Sequence, residues 1–226
     1  MTPYYERNGI AIYHADCRDV LATLAGINVV LTDPPYGIQG SSGNINVKRG
    51  KGKYQAAFED TPDYIQGVVV PVVQTLIQRV GCVVVTPGNR NFICYPQPDS
   101  FGAFYQPASV GLQVFGNADA QPIFYYGKNA LGRNMGVPCS YVLTEAPEKS
   151  IHPCPKPLKS WQLLLSHISR PGQTVLDPFM GVGTTLRAAK NLGLRAIGIE
   201  LDERYCEEAA QRLAQDVLPF AADEAA

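Results

Sequence analysis

Short apolar runs alternate along the chain with stretches of helical period. Ile10–Ala15 reads as a strand with Asp16 at its end, and a helix is expected from about Arg18 to Ala25. Val29, Val30 and Leu31 form a second apolar run, stopped by Thr32-Asp33-Pro34-Pro35-Tyr36-Gly37. Two consecutive prolines fix φ and remove ladder donors, so this run ends in a turn past the carboxyl end of a strand. Residues 38–57, rich in Gly, Ser, Asn and Lys, read as a mobile loop. A helix is expected from N-cap Thr61 with Pro62 at its first position, its apolar residues recurring at 64/65, 68/69, 72/73 and 76/77. Pro71 predicts a kink in it. Val83–Thr86 is a buried strand stopped by Pro87-Gly88-Asn89.

The middle of the chain, 88–150, is dense in Gly, Pro and aromatics. It offers one strand, Gln121–Tyr126, and 129–150 shows no clear period. Beyond it, Trp161–Ile168 reads as a helix, Thr174–Leu176 as a strand, 184–192 as a helix and Ala196–Ile199 as a strand with Glu200 at its end. A last helix starts at N-cap Asp202 and carries Tyr205, Ala209 and Leu213 on one face. Strands alternating with helices predict an α/β fold, a Rossmann-like, doubly wound, mostly parallel sheet in a single domain spanning 1–226. Such sheets bind ligands outside the carboxyl ends of their strands. Asp16, the Asp33 turn, the loop at Gly181 and Glu200 all follow strands and are expected on one rim.

Composition narrows the setting. Of 226 residues, 46% are apolar and 17% charged, ordinary for a globular protein. The N-terminal segment has no apolar run suited to a signal peptide, and no stretch is long enough for a membrane span, so a cytoplasmic location in a bacterium or phage-infected host is expected, with no membrane partner. Six cysteines without C-x-x-C spacing read as free thiols, and three scattered histidines give no zinc pattern, so no metal is expected. The net charge is −1, but the acids crowd the end. From Glu200 onward there are eight acids and two bases, leaving residues 1–199 at +5. Four bases, Lys48, Arg49, Lys51 and Lys53, sit in the 38–57 loop, a candidate contact for nucleic-acid phosphates.

Two motifs carry chemistry. Asp177-Pro178-Phe179-Met180-Gly181-Val182-Gly183-Thr184-Thr185 joins a strand to a helix, the arrangement of a nucleotide cradle. Glu200, 19 residues after Gly181, is placed to accept the hydroxyls of a ribose. Alone this fits a nicotinamide dinucleotide as well as S-adenosylmethionine, although the dinucleotide pattern wants Gly or Ala where Leu186 stands. The second motif, Asp33-Pro34-Pro35-Tyr36, suits an aromatic amino group, a poor nucleophile whose lone pair is delocalised into the ring. Hydrogen bonds from its two N–H groups to the Asp33 carboxylate and the Pro34 carbonyl would localise that lone pair. Tyr36 offers a face for a base to stack on. A base inside a duplex must be flipped out to reach such a site.

With DPPY at 33–36 and DPFMGVGTT at 177–185, the chain resembles the DNA amino-methyltransferases. The DPPY motif comes first, as in the beta-type order, and the chain resembles phage or orphan adenine-N6 enzymes. HADC at 14–17, GCVVVTPGNRN at 81–91, QPIFYYGK at 121–128, HPCPKP at 152–157 and IGIELDERYCEEAAQRL at 197–213 extend the resemblance over most of the chain. It implies S-adenosylmethionine as cofactor, double-stranded DNA as partner and site-specific transfer to adenine N6. Asp33, Pro34, Pro35 and Tyr36 would hold the base, Asp33 also facing the cofactor. Asp177, Phe179, Gly181, Gly183 and Thr184 would line the cofactor, Glu200 with Leu201 its ribose, Asp16 its adenine, and Lys156 its carboxylate.

The chain departs from the family's HPTQKP with Cys154 and Pro155. The region that usually reads the target is reduced to Asn129–Ile151, so a short or loosely defined recognition site is expected, shared with the 38–57 loop or with a homodimer partner. Cytosine-N4 transfer is the alternative, less favoured because that group more often has Ser where Asp33 stands. An RNA amino-methyltransferase, with the glycine loop first, is a weaker one. Neither the recognition sequence nor a restriction partner is encoded legibly.

Overall fold

The computed structural model describes residues 1–37, 60–106, 112–113, 116–117, 119–132, 137–143, 145, 150 and 156–215. In chain order the elements are β1 Tyr5–Arg7, β2 Ile10–His14, α1 Cys17–Leu21, β3 Val29–Thr32, α2 Pro62–Tyr64, α3 Val70–Arg79, β4 Cys82–Val85, β5 Ser100–Tyr105, β6 Leu112–Gln113, β7 Gly116–Asn117, β8 Ala120–Gly127, β9 Tyr141–Val142, α4 Leu158–Ser166, β10 Thr174–Asp177, α5 Thr184–Asn191, β11 Arg195–Glu200 and α6 Glu203–Ala214. Nine strands form one sheet in the order β1-β2-β11-β10-β3-β4-β8-β5-β9, while β6 and β7 pair separately. The five strands from β2 to β4 run parallel, and β1 and β8 join them antiparallel. Among the described residues no helix is long and apolar enough to cross a membrane.

The period of two along each strand divides the core into two layers. Val29, Leu31, Cys82 and Val84 face α4, α5 and α6, where Trp161, Leu164, Leu186 and Ala209 are buried. Val30, Val83 and Val85 face the other way, against Leu21, Ile65, Val69 and Leu76 from α1 to α3. Both faces being covered, β3 and β4 are apolar throughout, as parallel strands are. From β10 the chain winds outward to β11, and from β3 it winds the opposite way to β4. Between β10 and β3 the winding reverses, and a crevice opens there beyond the strands' carboxyl ends.

Several expectations are refined. α1 is shorter than the 18–25 span, because Asp16 caps it by accepting from the Arg18 amide and it ends at Ala22. At Pro71, where a kink was expected, the chain makes a π turn over Ile65–Val69 between α2 and α3. The Val70 amide donates to Ile65 O, and this wider turn accommodates a ring that would crowd the carbonyl four residues back. β5 escapes the sequence pattern because its outward positions, Phe101 and Tyr105, are aromatic, which hides the alternation with buried Gly102 and Phe104. Part of the 129–151 segment belongs to the sheet: β9 pairs with β5, and Tyr141 is buried against Phe104.

Candidate functional site

The loop after β10 is organised by one buried carboxylate. Asp177 Oδ1 accepts from Thr32 Oγ1 at 2.7 Å and the Phe179 amide at 3.2 Å, and Oδ2 accepts from Thr185 Oγ1 at 2.6 Å. Trp161 Nε1 donates to that same Thr185 hydroxyl at 2.8 Å, so a buried chain of polar groups runs from α4 to the end of β3. Burial pushes the Asp177 carboxyl up to about 6, against the hydroxyls of Thr185 and Thr32. Gly181 and Gly183 take left-handed φ of 50° and 76°, and a Cβ on Gly183 would lie 2.9 Å from Ala209 Cβ on α6.

Glu200, at the end of β11, closes this rim. Its Oε2 accepts from the Gly181 amide and its Oε1 from the Asp202 amide, both at 2.9 Å. Burial pushes its carboxyl up to about 7, against those amides. Each carboxylate oxygen keeps a further acceptor position, so the group has capacity for a vicinal diol. Across the rim, Asp16 is held below the usual carboxylate range by its hydrogen bonds with Arg18, whose guanidinium lies 2.6 Å away. Tyr64 is within electrostatic reach of both; burial, and then nearby Cys17, Asp16 and Glu200, raise its hydroxyl to about 12. The set fits a nucleoside: a carboxylate for the ribose, and an acid and an aromatic ring beyond it.

The turn after β3 is built differently. Asp33 Oδ1 accepts from Tyr36 Oη and Thr86 Oγ1 at 2.5 Å each, and Lys156 Nζ lies 3.1 Å from it. Lys156 also donates to Tyr36 Oη at 2.5 Å and Gln121 Oε1 at 3.2 Å, and Gln121 Nε2 donates to Tyr36 Oη. Asn91 Nδ2 holds Tyr36 O, and Asp60 holds the Gly37 amide, both at 2.6 Å. Gly88, at φ 73°, lies flat against the Tyr36 ring; a Cβ there would fall 2.6 Å from Cδ1. Thr32 Oγ1, one residue before Asp33, ties this turn to Asp177 and hence to the other rim.

A family profile described as DNA methylase matches residues 113–211, which include Lys156, the glycine loop and Glu200. YubD of Escherichia coli (strain K12), a protein named as a methylase, is 30% identical over 221 residues, 88% of each chain. The chain belongs to the DNA amino-methyltransferase family. The methyltransferase is also similar in fold to the M1.HpyAVI–SAM complex, at TM-score 0.66 and 22% identity, over 91% of this chain and 100% of that one. The PvuII DNA methyltransferase, specific for cytosine N4, aligns at TM-score 0.65 and 15% identity, over 96% and 90%. The methyltransferase takes its methyl group from S-adenosylmethionine.

The residues singled out in its sequence gather at the switch point, with differences. Asp177 points into the protein and organises the loop from within. Lys156 stands at the DPPY turn, on Asp33 and Tyr36. Lys48, Arg49, Lys51 and Lys53 lie outside the described residues. Sequence reasoning did not single out Tyr64, Thr86, Asn91 or Gln121. The family-like stretches at 81–91 and 121–128 contain the last three, but nothing in those stretches says which side chains reach the turn.

Proposed function

We propose that the methyltransferase acts on double-stranded DNA and transfers the methyl group to N6 of a flipped-out adenine at a short target site. The observation that carries this reading is the one-sided use of the Asp33 carboxylate. Oδ1 accepts from the hydroxyls of Tyr36 and Thr86 and pairs with the Lys156 ammonium, and among the described residues no group donates to Oδ2. Oδ2 is the acceptor for one N–H of the target amine, and the Pro34 carbonyl for the other. Together they localise the nitrogen lone pair, while the pinned Tyr36 ring supports the base.

Bound S-adenosylmethionine supplies a sulfonium-activated methyl group. Glu200 accepts the ribose hydroxyls, Leu201 lies beside it, and Asp16 with Tyr64 borders the adenine end. Phe179, Gly181, Gly183 and Thr184 line the methionine part. Within one 1–226 domain, Lys48, Arg49, Lys51 and Lys53 contact DNA phosphates, consistent with the +5 balance of residues 1–199. The reading places the enzyme in a bacterial cytoplasm.

The test uses tritiated S-adenosylmethionine with DNA and RNA, followed by nucleoside analysis. Label is expected in N6-methyladenine from DNA; label in N4-methylcytosine instead overturns the adenine assignment. Asp33→Ala is expected to abolish transfer while sparing cofactor binding, and surviving activity removes Asp33 from its role.

A further inference from the structure

Lys156 comes from the segment just before α4 and reaches a carboxylate 123 residues earlier in the chain. Its side chain is 14% exposed and that of Asp33 is 20% exposed, so the pair is largely withdrawn from solvent. An ammonium has three N–H donors. Here two are used in hydrogen bonds, on Tyr36 Oη and Gln121 Oε1, and the charge pairs with Asp33 Oδ1 at 3.1 Å. Tyr36 Oη donates to Asp33 and accepts from Lys156 and from Gln121 Nε2. Asp33, Tyr36, Gln121 and Lys156 therefore form a closed polar ring drawn from three distant segments, with Thr86 attached to Asp33. The Lys156 ammonium also lies 5.2 Å from the centre of the Tyr36 ring.

A carboxylate held through one oxygen by two hydroxyl hydrogen bonds and an ion pair has its rotation fixed, and the direction of its other oxygen with it. We propose that Lys156 is a positioning residue for methyl transfer: with Gln121 behind it, its ammonium anchors Asp33 Oδ1 and the Tyr36 hydroxyl so that Asp33 Oδ2 faces the incoming amine. The proposal rests on the reading of Asp33 as the amine acceptor. It differs from a lysine that binds the cofactor's carboxylate, because the charge and the hydrogen bonds of this ammonium are engaged on Asp33, Tyr36 and Gln121. Gln121 acts through Lys156 and Tyr36, its amide oxygen toward the cation and its amide nitrogen toward the hydroxyl.

Lys156→Ala is compared with wild type by single-turnover methyl transfer and by calorimetric binding of S-adenosylmethionine, with and without propylammonium, the fragment the substitution removes. The rate constant is expected to fall by about 10- to 100-fold with the loss of alignment, while cofactor affinity stays within about threefold. Propylammonium restores part of the rate, neutral propanol does not, and Lys156→Arg retains more rate than Lys156→Ala. A variant that loses cofactor affinity instead, or whose rate ignores propylammonium, overturns the proposal. Should Lys156→Ala fail to fold, Gln121→Leu decides: a several-fold lower rate constant at unchanged cofactor affinity supports the ring, and an unchanged rate overturns it. Asp33→Ala is run alongside. If it remains active, the base-site reading fails as a whole; if it is dead while Lys156→Ala loses only cofactor affinity, the Lys156 assignment fails alone.

Discussion

The two halves of the rim solve the problem of holding a ligand in opposite ways. The half beyond β10 and β11 is local and largely made of backbone. Asp177, Gly181, Gly183 and Glu200 span 24 residues, and Glu200 holds the amides of Gly181 and Asp202. The half beyond β3 and β4 is made of side chains that meet from far apart: Asp33 and Tyr36, Thr86, Gln121 and Lys156. A loop set by glycine φ values and buried amides keeps its shape without a ligand. A ring of side chains is adjustable, and its geometry depends on every member. Cofactor binding should therefore survive damage to the second half, whereas methyl transfer should not survive damage to either.

Gly88→Ala should break this comparison most sharply. It puts a methyl 2.6 Å from the Tyr36 ring at a φ of 73° that alanine disfavours. The Tyr36 ring must move, and its hydroxyl leaves Asp33 and Lys156. An ångström-scale displacement at the reacting group should cost about 100-fold in the methyl-transfer rate constant, measured in single turnover. Cofactor affinity should hold within about threefold. An equal loss of both would show that the halves are one mechanical unit.

Asp177→Asn attacks the link between them. The new amide would face Thr185 Oγ1, which already accepts from Trp161 Nε1 and would lose its own acceptor. Leaving one such buried group unsatisfied should cost about 1–3 kcal/mol of unfolding free energy, read from denaturant titration. Cofactor affinity and transfer rate should fall together, because the same side chain holds the Phe179 amide and Thr32 Oγ1, next to Asp33. Full stability in this variant would mean that the chain from Trp161 to Thr32 contributes little.

The same contrast explains what could be read from the sequence. The half proposed for the cofactor was legible as geometry because that geometry is a matter of spacing: strand, glycines, helix, then an acid at the end of the next strand. The sheet followed from β3, β4, β10 and β11, whose apolar runs are interrupted by turn residues. The polar ring was not legible beyond Asp33 and Tyr36. Nothing near Gln121 marks it as reaching a turn 85 residues earlier; β8 puts it there by pairing with β4. Lys156 carries the opposite lesson. Resemblance gives it to the cofactor's carboxylate; the structure shows its ion pair with Asp33 and its hydrogen bonds to Tyr36 and Gln121. Asp16, which the resemblance gives to the cofactor's adenine, is also the N-cap of α1, a task the strand pattern did not reveal.

The smallest expected effect sharpens the cofactor half. Burial raises the Glu200 carboxyl to about 7, so near neutrality it is divided between acid and carboxylate. The carboxylate accepts two hydroxyl hydrogen bonds, whereas the protonated acid gives up acceptor capacity to its own proton. Binding a diol then favours the ionised form, and by linkage cofactor affinity rises as pH rises through 7 and levels off above it. From pH 6 to pH 8 the ionised share grows by about tenfold, and affinity from calorimetry at fixed ionic strength should follow it. Glu200→Gln should bind more weakly and without this slope, since nothing at position 200 titrates. Asp16 is already held ionised by Arg18 over this range and adds no slope, and Asp177, raised to about 6, contributes only a shallow rise at the acid end, smaller than the roughly tenfold change expected from Glu200. A flat wild-type profile, or a slope that persists in Glu200→Gln, would remove Glu200 from the ribose and leave its role as the clasp on the amides of Gly181 and Asp202.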